Sequence, residues 1–323
     1  MGANRAGLGD ARLMVRVAVM HYRAQLSQAQ IGERVGMSRY QVGRMLDRAL
    51  REGIVRIDIV HPEARLIDLE ASLKDRFELR DAVVVDVPMS ASEQATQELA
   101  REAVASAAAE LLRELRPTGT IGVSWGRTML ELARILRPGW TKATEIVQLN
   151  GATSSSPLPT RANEVAERFG TTTGASIRLL PAPAIVGSAE LRVALEEDRV
   201  IRQALDAARR TSLAVFGLGI LTRDSVLVGS GYLTEQDLAD LGAAGAVGDV
   251  IGRFLDVSGA IALPELDERT VGLPLADLAG DRISMGLAAG AGRGPIALAA
   301  LRARCVNVIV VDSATAEWVL AHG

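Results

Sequence analysis

The sequence predicts an α/β protein in two parts. A winged helix-turn-helix spans residues 1–61, a mainly parallel α/β domain spans 81–323, and a connecting helix at 62–80 lies between them. Three observations carry this reading. As far as residue 53, apolar residues recur at helical spacing and are interrupted by glycine. From Asp81 onward, short β-branched runs alternate with amphipathic helical stretches, the pattern of strands covered by helices on both faces. Charge divides at the same place: residues 1–61 hold ten Arg, no Lys, two Glu and three Asp, a net of +5, which leaves −8 for the rest of a chain whose total is −3.

In the first part, residues 10–25 read as a helix with Leu13, Val17, Met20 and Ala24 on one face and arginines on the other. Residues 26–56, LSQAQIGERVGMSRYQVGRMLDRALREGIVR, then read as a helix-turn-helix. Ser27 caps a helix whose Ile31 and Val35 fall four apart, and Gly36 supplies the sharp turn. Ser38 caps the second helix, which turns Val42, Met45, Leu46 and Ala49 inward and leaves Arg39, Tyr40, Gln41, Gly43 and Arg44 at its outward N-terminal end. A recognition helix presents those first turns to the major groove, where Arg and Gln pair bidentately with guanine and adenine, while Arg48 and Arg51 lie nearer the phosphates. The expected DNA contacts are thus Ser38, Arg39, Tyr40, Gln41, Arg44, Arg48 and Arg51. Gly53 ends the helix, and residues 54–59 alternate as a wing strand. Helix, glycine turn, helix is also an ordinary hairpin of a bundle; basic charge gathered into one small part of an acidic chain favours nucleic acid.

Composition bounds the remainder. At 323 residues, 48% hydrophobic and 23% charged, the chain has the make-up of a soluble globular protein with more than one domain. No apolar run is long enough to span a membrane, and residues 1–10 have no signal-peptide core, so a cytoplasmic protein is expected. Cys305 is the sole cysteine and precedes an apolar run, which suits a packed thiol; no disulfide forms within one chain. His21, His61 and His322 are scattered without zinc spacing, so neither a protein-built metal site nor a cofactor is expected.

After His61-Pro62, Leu66, Leu69, Leu73 and Phe77 recur at helical spacing; this helix packs either on its own second domain or on the same helix of another subunit, which a homodimer would explain. Strands are placed at 82–87, 120–124, 145–149, 176–180, 213–217, 283–287 and 306–311, with helices at 92–115, 128–136, 163–169, 199–209, 235–241, 295–302 and 314–320. Ligands of parallel sheets sit at the carboxyl ends of the strands. There the run from Gly119 to Thr128, GTIGVSWGRT, feeds a strand into a helix through small residues, and free N–H groups with the Ser124 and Thr128 hydroxyls make a phosphate cradle. Further glycine-bearing strand ends occur at 150–153, 217–219, 245–249 and 290–294. Together they suit a polyhydroxy, anionic ligand, although strand-turn-helix connections need glycine for packing as well. None matches a P-loop or a dinucleotide fingerprint.

In order, MSRYQVGRML, LREGIVRI, IGVSWGRT, VQLNGA, GAVGD and VNVIVVDSATA closely resemble the SorC family of sugar-binding transcriptional regulators, over nearly the whole chain. The resemblance implies an effector domain similar to sugar-phosphate isomerases of the glucosamine-6-phosphate type, a homodimer or homotetramer, a double-stranded DNA operator, and a small sugar, polyol or sugar-phosphate effector. It also implies that Ser124, Gly126, Arg127 and Thr128 lie at the phosphate and that Asn150, Gly151 and Asp249 face sugar hydroxyls. Where the family commonly has a lysine, this chain has AAGAGR with Arg293 as the nearest basic residue, in a sequence with only two lysines, Lys74 and Lys142. Arginine keeps the charge and gains a fork but forms no Schiff base.

A ligand-responsive transcription factor is the leading expectation. A sugar-phosphate isomerase with a basic appendage is the alternative, and it would need Asp249 to converge with Glu145 or Glu164 for acid–base work. An architectural DNA-binding protein would have no use for the glycine turns of an acidic domain.

Overall fold

The computed structural model describes residues 3–55, 66–88, 90, 92–152 and 161–323, the side chains of 3–10 excepted. It divides into two compact units, Met1–Pro62 and Glu63–Gly323. Most of the expected wing, from residue 56, lies outside the described residues.

In the first unit, α1 (Ala3–Ala18) runs into a π-helical turn, Val19–Arg23, followed by α2 (Gln28–Val35) and α3 (Arg39–Arg51). Both α2 and α3 open with a capping box: Ser27 is paired with Gln30, and Ser38 with Gln41. Gly36 ends α2 in the left-handed region at φ 69°. Gly32 is fixed by packing, because a Cβ there would lie 2.3 Å from the Met37 carbonyl oxygen. Val17, Ala18, Ile31, Val42 and Leu46 form the small core, with Met14 also buried. Ala24, expected on the inner face, is exposed. The wider π turn breaks the phase of the helical stripe before it reaches residue 24.

The second unit is built on strands β1 (Asp81–Val85), β2 (Thr118–Val123), β3 (Lys142–Gln148), β4 (Ser176–Arg178), β5 (Leu213–Ile220), β6 (Ala246–Val250), β7 (Arg253–Asp256), β8 (Ile283–Ala288) and β9 (Val308–Asp312). Its helices are α4 (Ile67–Phe77), α5 (Glu93–Leu115), α6 (Arg127–Ile135), α7 (Ala162–Thr173), α8 (Ala189–Glu197), α9 (Arg199–Arg209), α10 (Val226–Gly229), α11 (Glu235–Ala243), α12 (Pro264–Asp267), α13 (Gly294–Arg302) and α14 (Ser313–His322). The main sheet runs β4-β3-β2-β5-β8-β9-β1 and all its pairings are parallel. Alternate strand residues feed two cores: Val84, Phe216, Ile309 and Val311 go with α13, while Val83, Ile121, Val215 and Val310 go with α5, α6 and α7.

One departure from the expected elements bears on the site. Residues 245–249, expected as a turn at the end of a parallel strand, run into β6, which with β7 forms an antiparallel hairpin on the overhanging end of β5. The hairpin is needed because β5 continues past Gly217 to Ile220, beyond its parallel neighbours, and that overhang would otherwise be unpaired.

The connecting helix belongs to the second unit and settles on its own sheet. Leu73 is fully buried, with Leu66, Leu69 and Phe77 packed around the same core. Strand β1 is an edge, and α4 covers its free side: the Leu66 N–H donates to the Val84 carbonyl at 3.2 Å, and the Val84 N–H donates to Glu70 Oε1 at 3.0 Å. Leu73→Ala should therefore cost about 2–5 kcal/mol in chemical denaturation of this unit. A loss well under about 1 kcal/mol would show that α4 is not docked as described.

Candidate functional site

The chain moves from β2 to β3 and β4 on one side of the sheet, then returns with β5 on the other side of β2. The crevice of such a sheet opens where the strand order reverses, outside the carboxyl ends of β2 and β5. A cleft lies there, lined by Ser124, Gly126, Arg127, Thr128, Asn150, Asp249 and Arg293 together with Trp125, Gly217, Gly219, Thr222, Ser225, Leu227 and Gly252. Strand ends far apart in sequence supply these residues.

The first wall is the start of α6. Gly126 is its N-cap at φ 136° and no side chain caps it, so its first-turn N–H groups are available to an occupant. Arg127 at that start is exposed and donates from Nη2 to the Asp224 carbonyl at 3.1 Å; Ser124 and Thr128 are buried beside it. Arg293 enters from the turn after β8. Its guanidinium is held by the carbonyls of Ala289, from Nε at 2.5 Å, and of Leu218. Burial pushes the Arg293 pKa down to about 10, and the charges of Arg127 and Arg101 push the same way against Asp249 and Asp312. Arg101, on α5, also has a lowered pKa, from burial first and Arg127 second. Three arginines thus repel one another around the cleft, an arrangement that an anion would relieve.

The opposite wall carries a buried carboxylate and a buried amide. Asp249 lies across from Gly219 in the β5–β6 pairing, and a Cβ at 219 would be 2.0 Å from Asp249 Oδ1, so glycine there makes room for the carboxylate. Asp249 Oδ2 accepts the Gly252 N–H at 2.9 Å. Burial raises the Asp249 pKa to about 6, opposed by that hydrogen bond and by Arg293. Asn150 is 1% exposed, and neither its Oδ1 nor its Nδ2 has a hydrogen-bond partner among the described residues. Buried polar groups are as a rule hydrogen-bonded, so this amide has a donor and an acceptor to offer a polar ligand.

Other expected residues fall elsewhere. Gly151 does not line the cleft; a Cβ there would meet the Pro183 carbonyl at 2.2 Å, its N–H donates to Val271 and its carbonyl accepts from Trp125 Nε1, so backbone packing explains the glycine. Glu145 pairs with Arg178, and Glu164 with Arg161 and Arg168; neither reaches the cleft, where Asp249 is the one carboxylate among the described lining residues. On α3, Arg39, Tyr40, Arg44 and Arg51 are exposed, Tyr40 at 73%. Gln41 is also exposed, and its Oε1 accepts the Ser38 N–H at 2.8 Å in the capping box. Arg48 Nε donates to Glu52 at 2.7 Å.

Two arginines gave no signal in sequence. Arg101 sits on a long charged helix like any surface residue. Arg253, 6% exposed, donates to the carbonyls of Asp267, Thr270, Gly272 and Leu273 and to the Asp267 carboxylate at 2.7 Å. It pins the segment that brings Gly272 into a backbone bridge with Asn150.

A helix-turn-helix unit on one chain with a parallel sheet whose switch-point cleft gathers buried polar side chains defines a ligand-controlled transcriptional regulator. A family model for a sugar-binding domain matches residues 61–321. The deoxyribonucleoside regulator of Bacillus subtilis is 32% identical over 95% of this chain and 96% of its own. The sorbitol operon regulator of Klebsiella pneumoniae is 28% identical over 96% of this chain and 98% of its own. The crystal structure of the full-length sorbitol operon regulator SorC from that organism superposes with a TM-score of 0.69 at 27% identity, covering 97% of this chain and 99% of that one. The chain belongs to this SorC family of sugar-binding transcriptional regulators.

The raised Asp249 pKa carries a pH dependence. The folded state binds this proton more tightly than the unfolded chain, so the site favours folding below the ordinary carboxylate range, and that contribution is lost as pH rises through about 6. Without ligand, Asp249→Asn should raise stability above neutral pH, by at most about 3 kcal/mol, with the gap closing as pH falls from about 7 to 4. Denaturation curves across that range check it; a variant less stable than wild type at every pH would contradict the burial argument.

Proposed function

We propose that this regulator reads its DNA operator with α3 and that a small phosphorylated sugar or polyol in the cleft sets the strength of that binding. The carrying observation is the juxtaposition of an uncapped helix start, flanked by Arg127 and Arg293, with the partnerless Asn150 and the carboxylate of Asp249. The arginine side takes the phosphate and the Asn150–Asp249 side takes hydroxyls, since a carboxylate beside a phosphate would repel it. Relatives named for deoxyribonucleosides and sorbitol support the sugar or polyol class. The lone cleft carboxylate supports sensing over isomerisation, which needs a paired base and acid.

In this reading the protein works in the cytoplasm beside its DNA, as a homodimer or homotetramer whose symmetry matches paired half-sites. Helix α8 has no buried residue and exposes Leu191 and Val193, apolar surface of the kind a partner subunit covers. No helix among the described residues is long and apolar enough to cross a membrane.

The deciding measurement is a titration with phosphorylated sugars and polyols beside their dephosphorylated counterparts, read by thermal shift. The phosphorylated form should bind more tightly, and Arg127→Ala should remove about tenfold to a hundredfold of that preference. Wild-type preference for the dephosphorylated form would exclude the phosphate assignment, and product formation would favour the isomerase.

On DNA, an operator selected from a random duplex library should lose about 1–3 kcal/mol of specific binding with Arg39→Ala or Arg44→Ala while non-specific binding persists. Arg51→Ala should instead weaken all sequences alike and lower the salt slope by about one unit. Unchanged operator affinity and specificity in both of the first two variants would remove α3 as the reading helix.

A further inference from the structure

The cleft and the helix that follows the inter-unit segment in sequence are joined by one buried carboxylate. Asp312, at the end of β9, is 4% exposed. Its Oδ2 accepts the Gly290 N–H at 2.6 Å, and its Oδ1 accepts the Thr315 N–H at 2.9 Å in the first turn of α14. Gly290 belongs to the turn that carries Arg293, whose Nε bonds the Ala289 carbonyl. One side chain therefore ties the cleft turn to the start of α14, and each of its oxygens holds one end.

Beyond that point the packing is continuous. Trp318 of α14 lies on Gly294 at the start of α13, where a Cβ would come within 2.4 Å of the indole. Trp318 and Val319 share a core with Leu73 and Phe77 of α4. Helix α4 is in turn bonded to β1 and is the first described helix after residue 65.

We propose that Asp312 is a positioning residue that couples the effector cleft to α14 and α4, so that an anion drawing on Arg293 shifts the turn at 289–293 and, through this carboxylate, the helix that leads back toward the DNA-binding unit. The proposal rests on the cleft being the effector site. Its chemistry requires a two-ended acceptor: asparagine has one carbonyl oxygen and holds either Gly290 or Thr315, but not both.

The test is amide hydrogen exchange on the full chain, with the cleft perturbed in two independent ways, by inorganic phosphate and by Arg293→Ala. In the wild-type background either perturbation should change exchange in α14 and α4 by about fivefold or more, the low end of ordinary coupling between sites. With Asp312→Asn, phosphate should still protect 126–129 while the change at α4 disappears. Trp318→Phe keeps an aromatic ring over Gly294 and gives a second, milder interruption should Asp312→Asn fold poorly; it should reduce the response at α4 while leaving that at 289–293. An α4 that ignores both perturbations in wild type, or that responds equally in the Asp312→Asn and Trp318→Phe proteins, overturns the coupling. Phosphate that fails to protect 126–129 while Arg293→Ala still reaches α4 would remove the anion reading of the cleft and support the coupling.

Discussion

The guanidinium of Arg253 holds together the part of the effector unit that has no regular structure of its own. It has five N–H donors, and five hydrogen bonds leave it for the 267–273 segment. That segment runs between α12 and β8 and would otherwise hide several carbonyls from water without partners, each at a cost of about 1–3 kcal/mol. Because it is pinned, Gly272 can lie so close to Asn150 that a Cβ would come within 2.8 Å of the Asn150 Cα. The wall of the cleft is thus set by a residue outside the cleft.

Against that fixed wall the charges are arranged in opposition. Arg127 and Arg101 disfavour the charge on Arg293, while burial disfavours the charge on Asp249. Arg293 stands between the two sides, repelled by the other arginines and attracted to the carboxylate. Asn150 adds a donor and an acceptor without protein partners to the same space.

How much of this could be read from the chain follows from where each signal resides. The parallel strands were visible because β-branched runs such as VVV at 83–85 and VIVV at 308–311 need no partner to be noticed. Neither β6 nor its hairpin was visible, since AVGDV is glycine-bearing and becomes a strand only by pairing with the overhang of β5. Helix α8 escaped because it buries no residue and so carries no inward stripe. Strand order is a non-local property, and nothing in DAVVV says that it lies beside β9. The helix start at 126–128 was legible from local chemistry; the runs holding Asn150 and Asp249 were legible only as glycine-bearing strand ends, and the roles expected of these two side chains came from family resemblance. Gly151 was misplaced because a glycine required for close backbone approach and one required for a ligand look alike in sequence.

The docking of α4 on β1 matters before the fold exists. Asp81 pairs with Val308, so during synthesis β1 waits for its one strand partner among the described residues until roughly 220 further residues have been made, on the order of ten seconds or more at ordinary translation rates. For that interval a valine-rich segment with both edges bare is a template for pairing with other nascent chains. Helix α4 precedes it immediately, and the Glu70 carboxylate and Leu66 amide engage Val84 from a distance of under twenty residues. The same contacts that close the finished sheet's edge are local enough to form first, which would leave only the β9-facing edge of the nascent strand bare until the distant half of its sheet arrives.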